Sequence, residues 1–210
     1  GTLTITKAPL IVTADAKTKI YGAANPALTA TLTGFVNGET LATSGVSGSA
    51  SVTTTATAAT GVGNATLTSA VGTLAATNYA FTTFVDGALA ITKAPLTVTA
   101  DAKSKVYGSA NPVLSATLSG FVNGQTLASS GVTGSASITT SATAATGVGT
   151  ATLTAAPGTL AAANYSFGTF VDGTLTIAKA MLTVTADPAS RGYGVVKPAF
   201  TATLAGFVDW

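Results

Sequence analysis

From Leu96 to Asp101 apolar and polar residues alternate one by one: Leu96, Val98 and Ala100 are interleaved with Thr97, Thr99 and Asp101. A period of two marks a strand with one buried face and one wet face. Residues 115–118, 136–140 and 150–154 read the same way, Tyr165-Ser166-Phe167 opens a further strand, and residues 174–177 form the last. The same segments recur earlier in the chain. Asp172-Gly173, like Asp86-Gly87, predicts a two-residue hairpin turn, because both residue types tolerate positive φ. Asn123-Gly124 is a second turn signal, and residues 125–128, with their counterparts 39–42, predict one helical turn. No segment sustains a 3.6-residue period. Phe35, Phe81, Phe84 and their later copies read as core.

The recurrence is strict. Ile5-Thr6-Lys7-Ala8-Pro9-Leu10 returns 86 residues on as Ile91-Thr92-Lys93-Ala94-Pro95-Leu96, and again, loosened, as Ile177-Ala178-Lys179-Ala180-Met181-Leu182. Tyr21-Gly22, Tyr107-Gly108 and Tyr193-Gly194 keep the offset, as do Gly34-Phe35-Val36, Gly120-Phe121-Val122 and Gly206-Phe207-Val208. Aligned without a gap, residues 5–90 and 91–176 share 66 of 86 positions, and many of the differences conserve volume, such as Ile20/Val106 and Val52/Ile138. A fixed period of this kind signals a tandem array. The expected organisation is the end of a preceding copy at 1–6, copies at 7–92 and 93–178, and the start of a third at 179–210, within a longer parent chain. Lys7-Ala8-Pro9 and Lys93-Ala94-Pro95 stand at the junctions with no Gly/Ser linker, so a short, proline-stiffened joint is expected to yield a rod. The third copy departs at Met181, Asp187-Pro188 and Arg191-Gly192, and Trp210 stands where the earlier copies have Gly38 and Gly124.

Only 8% of the residues are charged, with net charge +2, against roughly 25% in ordinary soluble domains. Thr, with 42 residues, is the candidate to cover the surface instead, while the 42 Ala let strands pack closely. The nine Lys and Arg are scattered, which excludes a nucleic-acid stripe. No 18-residue stretch is apolar enough to span a membrane.

The ordered set Lys93 to Asp101, Lys105-Val106-Tyr107-Gly108, Asn111-Pro112, Gly120 to Gly124, Gly147-Val148-Gly149, Ala162 to Phe167 and Gly173 to Ile177 resembles the MBG repeat, the type marked by Tyr-Gly, over essentially the whole chain. The resemblance implies display on the bacterial cell surface or secretion, in adhesins or filamentous-haemagglutinin-like exoproteins. It also implies small tandem β-grasp-like domains carrying a short helix. The residues themselves indicate only a mainly β fold with at most one short helical turn per copy, and an immunoglobulin-like β-sandwich is the alternative.

The chain has no His and no Cys, which removes Ser–His–Asp, Cys–His and His-ligated metal chemistry. Seven acidic residues show no pairing, and no phosphate-binding loop is present. The expectation is no enzyme, no catalytic residue, no cofactor and no metal. A self-formed isopeptide bond would need an acid such as Glu39, but the second copy has Gln125 there, which cannot move a proton. Asp86 and Asp172 offer one acid per junction, too few for calcium, and hairpin turns are the better reading. Tyr21, Tyr107 and Tyr193 are the candidates for stacking on sugars, against the alternative of rings packed across a strand end. Gly61-Val62-Gly63 and Gly147-Val148-Gly149 read as turns or close-packing sites. Two functions follow. The first is a stalk that projects a distal binding region, with neighbouring repeats of the same chain as its partners. The second is a weak adhesive module that grips host or matrix glycans or proteins by avidity.

Overall fold

A computed structural model of the chain describes residues 1–208, so Trp210 lies outside the described residues. Every regular element among them is a strand. They gather into two compact units. One comprises Gly1–Leu96, Gly120–Thr133 and Ala161–Ser166. The other comprises Thr97–Ser119, Gly134–Leu160 and the chain from Phe167 onward. The first unit thus holds all of the first copy and three segments of the second, residues 93–96, 120–133 and 161–166.

The first copy contains β1 (Ala8–Ala14), β2 (Lys17–Ile20), β3 (Ala30–Thr33), β4 (Ser51–Thr53), β5 (Gly63–Ala70), β6 (Tyr79–Val85) and β7 (Gly87–Thr92). They form a sheet of order β3-β1-β6 and a sheet of order β2-β7-β5-β4. β1 pairs with β6 in parallel, and β2 pairs with β7 in parallel, while the other pairings are antiparallel. β1 leads into β2 across Asp15-Ala16, and β6 into β7 across Asp86. The copy therefore begins and ends with two bent strands that run side by side through both sheets.

The predicted alternation is realised in β1. Leu10, Val12 and Ala14 point inward and are at most 3% exposed, whereas Pro9 and Ile11 face out. Leu67, Leu89, Ile91 and Tyr79 complete the core from the other strands, each buried aliphatic side chain contributing about 1.5–3 kcal/mol. Ser69 Oγ, on β5, donates to the Val12 carbonyl at 3.4 Å and ties one sheet to the other. Proline is tolerated at position 9 because β3 pairs with β1 only from Ile11 onward, while on the β6 side the donor at this end of the ladder is the Ala8 N–H, to the Asn78 carbonyl at 2.9 Å.

The second copy repeats the order with β8 (Ala94–Ala100), β9 (Lys103–Val106), β10 (Ala116–Ser119), β11 (Ser137–Thr139), β12 (Gly149–Ala156), β13 (Tyr165–Val171) and β14 (Gly173–Ala178), in sheets β10-β8-β13 and β11-β12-β14-β9. The core of the second unit is built from Ala100, Ala142, Leu153, Ala155, Leu175 and Ile177, with Tyr107 and Phe170 packed against it. β15 (Thr183–Ala186) and β16 (Ala202–Ala205) pair antiparallel, Val184 opposite Leu204, as Val12 stands opposite Leu32 in the first copy.

Several sequence expectations are corrected. Asp86-Gly87 and Asp172-Gly173 are not hairpin turns, since β6 and β7 belong to different sheets and do not pair. The bend forms because Asp86 Oδ1 accepts the Ser69 N–H at 3.0 Å, and Asp172 Oδ1 the Ala155 N–H at 2.9 Å. The glycine serves close approach, for a Cβ on Gly87 would lie 2.4 Å from the Ala14 carbonyl oxygen. The helical turn starts one residue later than expected, where the Thr40 carbonyl accepts from Thr43 and Ser44 at 3.1 and 2.9 Å, and it goes no further. Phe84 is 39% exposed, and the fully buried rings are instead Tyr79 and Tyr165, each 1% exposed.

Candidate functional site: the joint between copies

β7 ends at Thr92 and β8 begins at Ala94, so Lys93 alone separates the last strand of one copy from the first of the next. Its ammonium donates to the Ala162 carbonyl at 2.8 Å, as Lys7 does to Ala76 at 2.9 Å. The residues around this passage, all within the first unit, form a closely fitted joint.

On the second copy the joint is a seat built around the Asn-Gly turn. Asn123 and Gly124 have φ of 55° and 68°, and the Gln125 N–H donates to the Val122 carbonyl at 3.0 Å, which is the arrangement of a type I′ turn. Tyr165 holds the turn from below. Its hydroxyl accepts the Val122 N–H at 3.2 Å and donates to Gln125 Oε1 at 2.5 Å, and its ring meets Phe121 edge-on at 5.6 Å.

On the first copy the matching part is Tyr21-Gly22. Tyr21 is 4% exposed, stands edge-on to Tyr165 at 5.6 Å, and donates to Gln125 Oε1 at 3.3 Å. Gly22 has φ +87°, and its N–H donates to the Ala58 carbonyl at 3.1 Å. A Cβ there would lie 2.4 Å from Val122 Cγ2 and 2.5 Å from Val122 Cβ, so a valine of the next copy fills the space that any larger residue would need. Asn123 Nδ2 donates to the same Ala58 carbonyl at 3.2 Å. The Val62 N–H donates to Asn164 Oδ1 at 3.0 Å, and a Cβ on Gly61 would approach that oxygen to 3.2 Å. Rings, small residues and hydrogen bonds thus interlock across the copies.

The second unit contains the same approach. Gly108 has φ +91°, donates to Ala144 at 3.2 Å, and has Val208 Cγ1 2.2 Å from where its Cβ would be. Tyr107 and Val148 line a cleft of about 350 Å³ with Leu182, Phe207 and Val208. Tyr193 is fully exposed, and Gly194 has nothing within 4 Å of a Cβ. Of the three tyrosines singled out in the sequence, Tyr21 therefore lies inside the joint, Tyr107 is half-buried against the core, and Tyr193 stands free of packing.

The remaining polar groups are structural. Lys19 is 6% exposed and donates to Asn25 Oδ1 at 2.8 Å and to the Thr57 and Ala23 carbonyls at 2.6 and 3.2 Å, which satisfies a buried charge that would otherwise be costly. Lys105 repeats this with Thr143 and Ser109, and Arg191 donates to Val195 at the equivalent place. None of the groups that Lys19 donates to is an acid, and Glu39, the acid considered for an isopeptide bond, accepts from Tyr79 at 2.5 Å. That bond holds the Tyr79 hydroxyl above the usual phenol range. The Asp15, Asp101 and Asp187 carboxyls lie below the usual range, chiefly because Thr29, Ser115 and Thr201 donate to them. Among the described residues no three acidic side chains gather as metal ligands would, and no helix is long and apolar enough to cross a membrane.

Sequence reasoning missed Gln125, Asn164 and Tyr165 as joint residues. Their signal was Asn78-Tyr79 recurring as Asn164-Tyr165, and Gln125 following Gly-Phe-Val-Asn-Gly, in step with Tyr-Gly. A family model described as MBG domain (YGX type) matches residues 10–90 and 96–176, and that family is a non-catalytic structural domain type. No curated protein matches the chain.

Proposed function

The chain belongs to the MBG domain family of the YGX type, and from this and the joint we propose that its copies form a spacer segment of a surface-displayed or secreted protein, holding a distal binding region at a distance. One observation carries the reading: Tyr21-Gly22 of one copy is seated against Val122, Gln125 and Tyr165 of the next, with a single residue between their strands. A module that acted only by gripping a ligand would need no such fit to its neighbour. Burial of Tyr21, Tyr79 and Tyr165 supports the same reading, because it withdraws rings that would stack on glycans.

Distance measurement between spin labels tests this. The chain has no cysteine, so Thr18→Cys and Ala128→Cys, exposed positions of the first and second copies within the first unit, accept labels uniquely. A narrow distance distribution that broadens in Gly22→Val is expected. A broad distribution in the otherwise native chain would overturn the spacer.

A further inference from the structure

Every part of the seat on the second copy has a counterpart on the first. Asn37 and Gly38 have φ of 57° and 71°, and the Glu39 N–H donates to Val36 at 3.0 Å. Tyr79 accepts the Val36 N–H at 3.2 Å and meets Phe35 edge-on at 5.6 Å. Here, however, the seat is open. Lys7, Val36, Asn37, Glu39, Asn78 and Tyr79 line a cleft of about 320 Å³. In the second copy the equivalent residues Val122, Asn123, Gln125, Asn164 and Tyr165 carry Tyr21, Gly22 and Val62. In the third, Val208, the counterpart of Val36 and Val122, closes on Gly108.

We propose that this cleft is a docking surface for the Tyr-Gly end of another copy of the same repeat. The proposal rests on the spacer reading and adds the site and its selectivity. The seat is preformed, since its turn, its tyrosine and its ring pair adopt in the open state the geometry they have when occupied. Glu39 replaces Gln125, and this sharpens the choice of occupant. A carboxylate only accepts, and one of its oxygens already takes the Tyr79 hydroxyl. An incoming tyrosine hydroxyl would donate to Glu39 in a charge-assisted bond, stronger than the 3.3 Å contact that Tyr21 makes with the neutral Gln125. A phenylalanine could not. The cleft therefore selects Tyr over Phe more strictly than the seat on the second copy.

The test inserts one additional copy of residues 5–90 ahead of Ile5 in the full chain, keeping the 86-residue period. Gly61 and Asn164 lie close enough across the native joint for Gly61→Cys and Asn164→Cys to bridge on mild oxidation. In the extended chain, Gly61→Cys of the inserted copy and Asn78→Cys of the original first copy should bridge at a comparable rate. Tyr21→Phe in the inserted copy should slow that bridging several-fold, and by more than Tyr21→Phe slows the native bridge. A native bridge without one at the new position overturns the docking surface and leaves the spacer standing. Absence of both bridges overturns the two together, and equal slowing by Phe at both joints overturns the selectivity of Glu39.

Discussion

Replacing Gly22 by Ala tests the joint most directly. Two costs are expected. The φ of +87° penalises any Cβ by about 1–2 kcal/mol. The new Cβ also lands 2.4 Å from Val122 Cγ2, and overpacking of this kind costs about 1–3 kcal/mol. Gly45 separates the two, because it lies in the same copy with φ +71° and nothing within 4 Å of a Cβ. Gly45→Ala should therefore lose about 1–2 kcal/mol and Gly22→Ala about 2–5 kcal/mol. Urea unfolding followed by circular dichroism measures both, and with a slope of about 2 kcal/mol per molar the excess appears as a midpoint about 0.5–1.5 M lower. Val122→Gly closes the cycle. It removes the opposing side chain, so the double variant should be less destabilised than the sum of the singles by about 1–3 kcal/mol. Equal losses for Gly22→Ala and Gly45→Ala, together with additivity within about 0.5 kcal/mol, would refute the claim that the glycine of Tyr-Gly is dictated by the next copy.

Two further outcomes are expected from the polar groups. Lys19→Met strips the shared donor from Asn25 Oδ1 and from two carbonyls, so the chain should lose about 2–4 kcal/mol and its Tm should fall by on the order of 10 °C, with Lys19→Arg milder because Arg191 already occupies the equivalent place. The carboxyls of Asp15, Asp101 and Asp187 titrate lower folded than unfolded, so their stabilisation is present above the ordinary carboxylate range and is lost as pH falls through their folded values. Thermal melts between pH 5 and pH 2 should show that loss, and Asp15→Asn with Asp101→Asn should flatten it while lowering Tm at pH 7.

Much of the fold was legible because its causes are local. The inward set Leu10, Val12 and Ala14 follows from a period of two, and the Asn37-Gly38 turn from the tolerance of Asn and Gly for positive φ. Where the cause is distant, local reading failed. Asp-Gly looks alike whether it turns a hairpin or lets a bent strand pass Ala14, and only the sheet order separates the two. β2, with its Lys-Thr-Lys-Ile sequence, gave no strand signal, because the Lys19 ammonium is buried only by donating to carbonyl and amide oxygens from loops, Thr57 among them, 38 residues on. The burial of Tyr79 depends on Glu39, forty residues back. The joint was hidden for the same reason: the neighbour that makes Gly22 necessary is Val122, in the following copy.

The parallel pairing of β1 with β6 and of β2 with β7 governs how a copy would respond to tension. The chain enters through the start of β1 and leaves through the end of β7, and β1 runs on into β2, which lies parallel to β7. A pull on the two termini drags these strands lengthwise past each other, so the ladder bonds are sheared together instead of being unzipped singly. Rupture then requires many bonds to fail at once, and the unfolding rate under load is the quantity that sets survival. A copy built this way resists stretching along its length far better than its modest core alone would suggest.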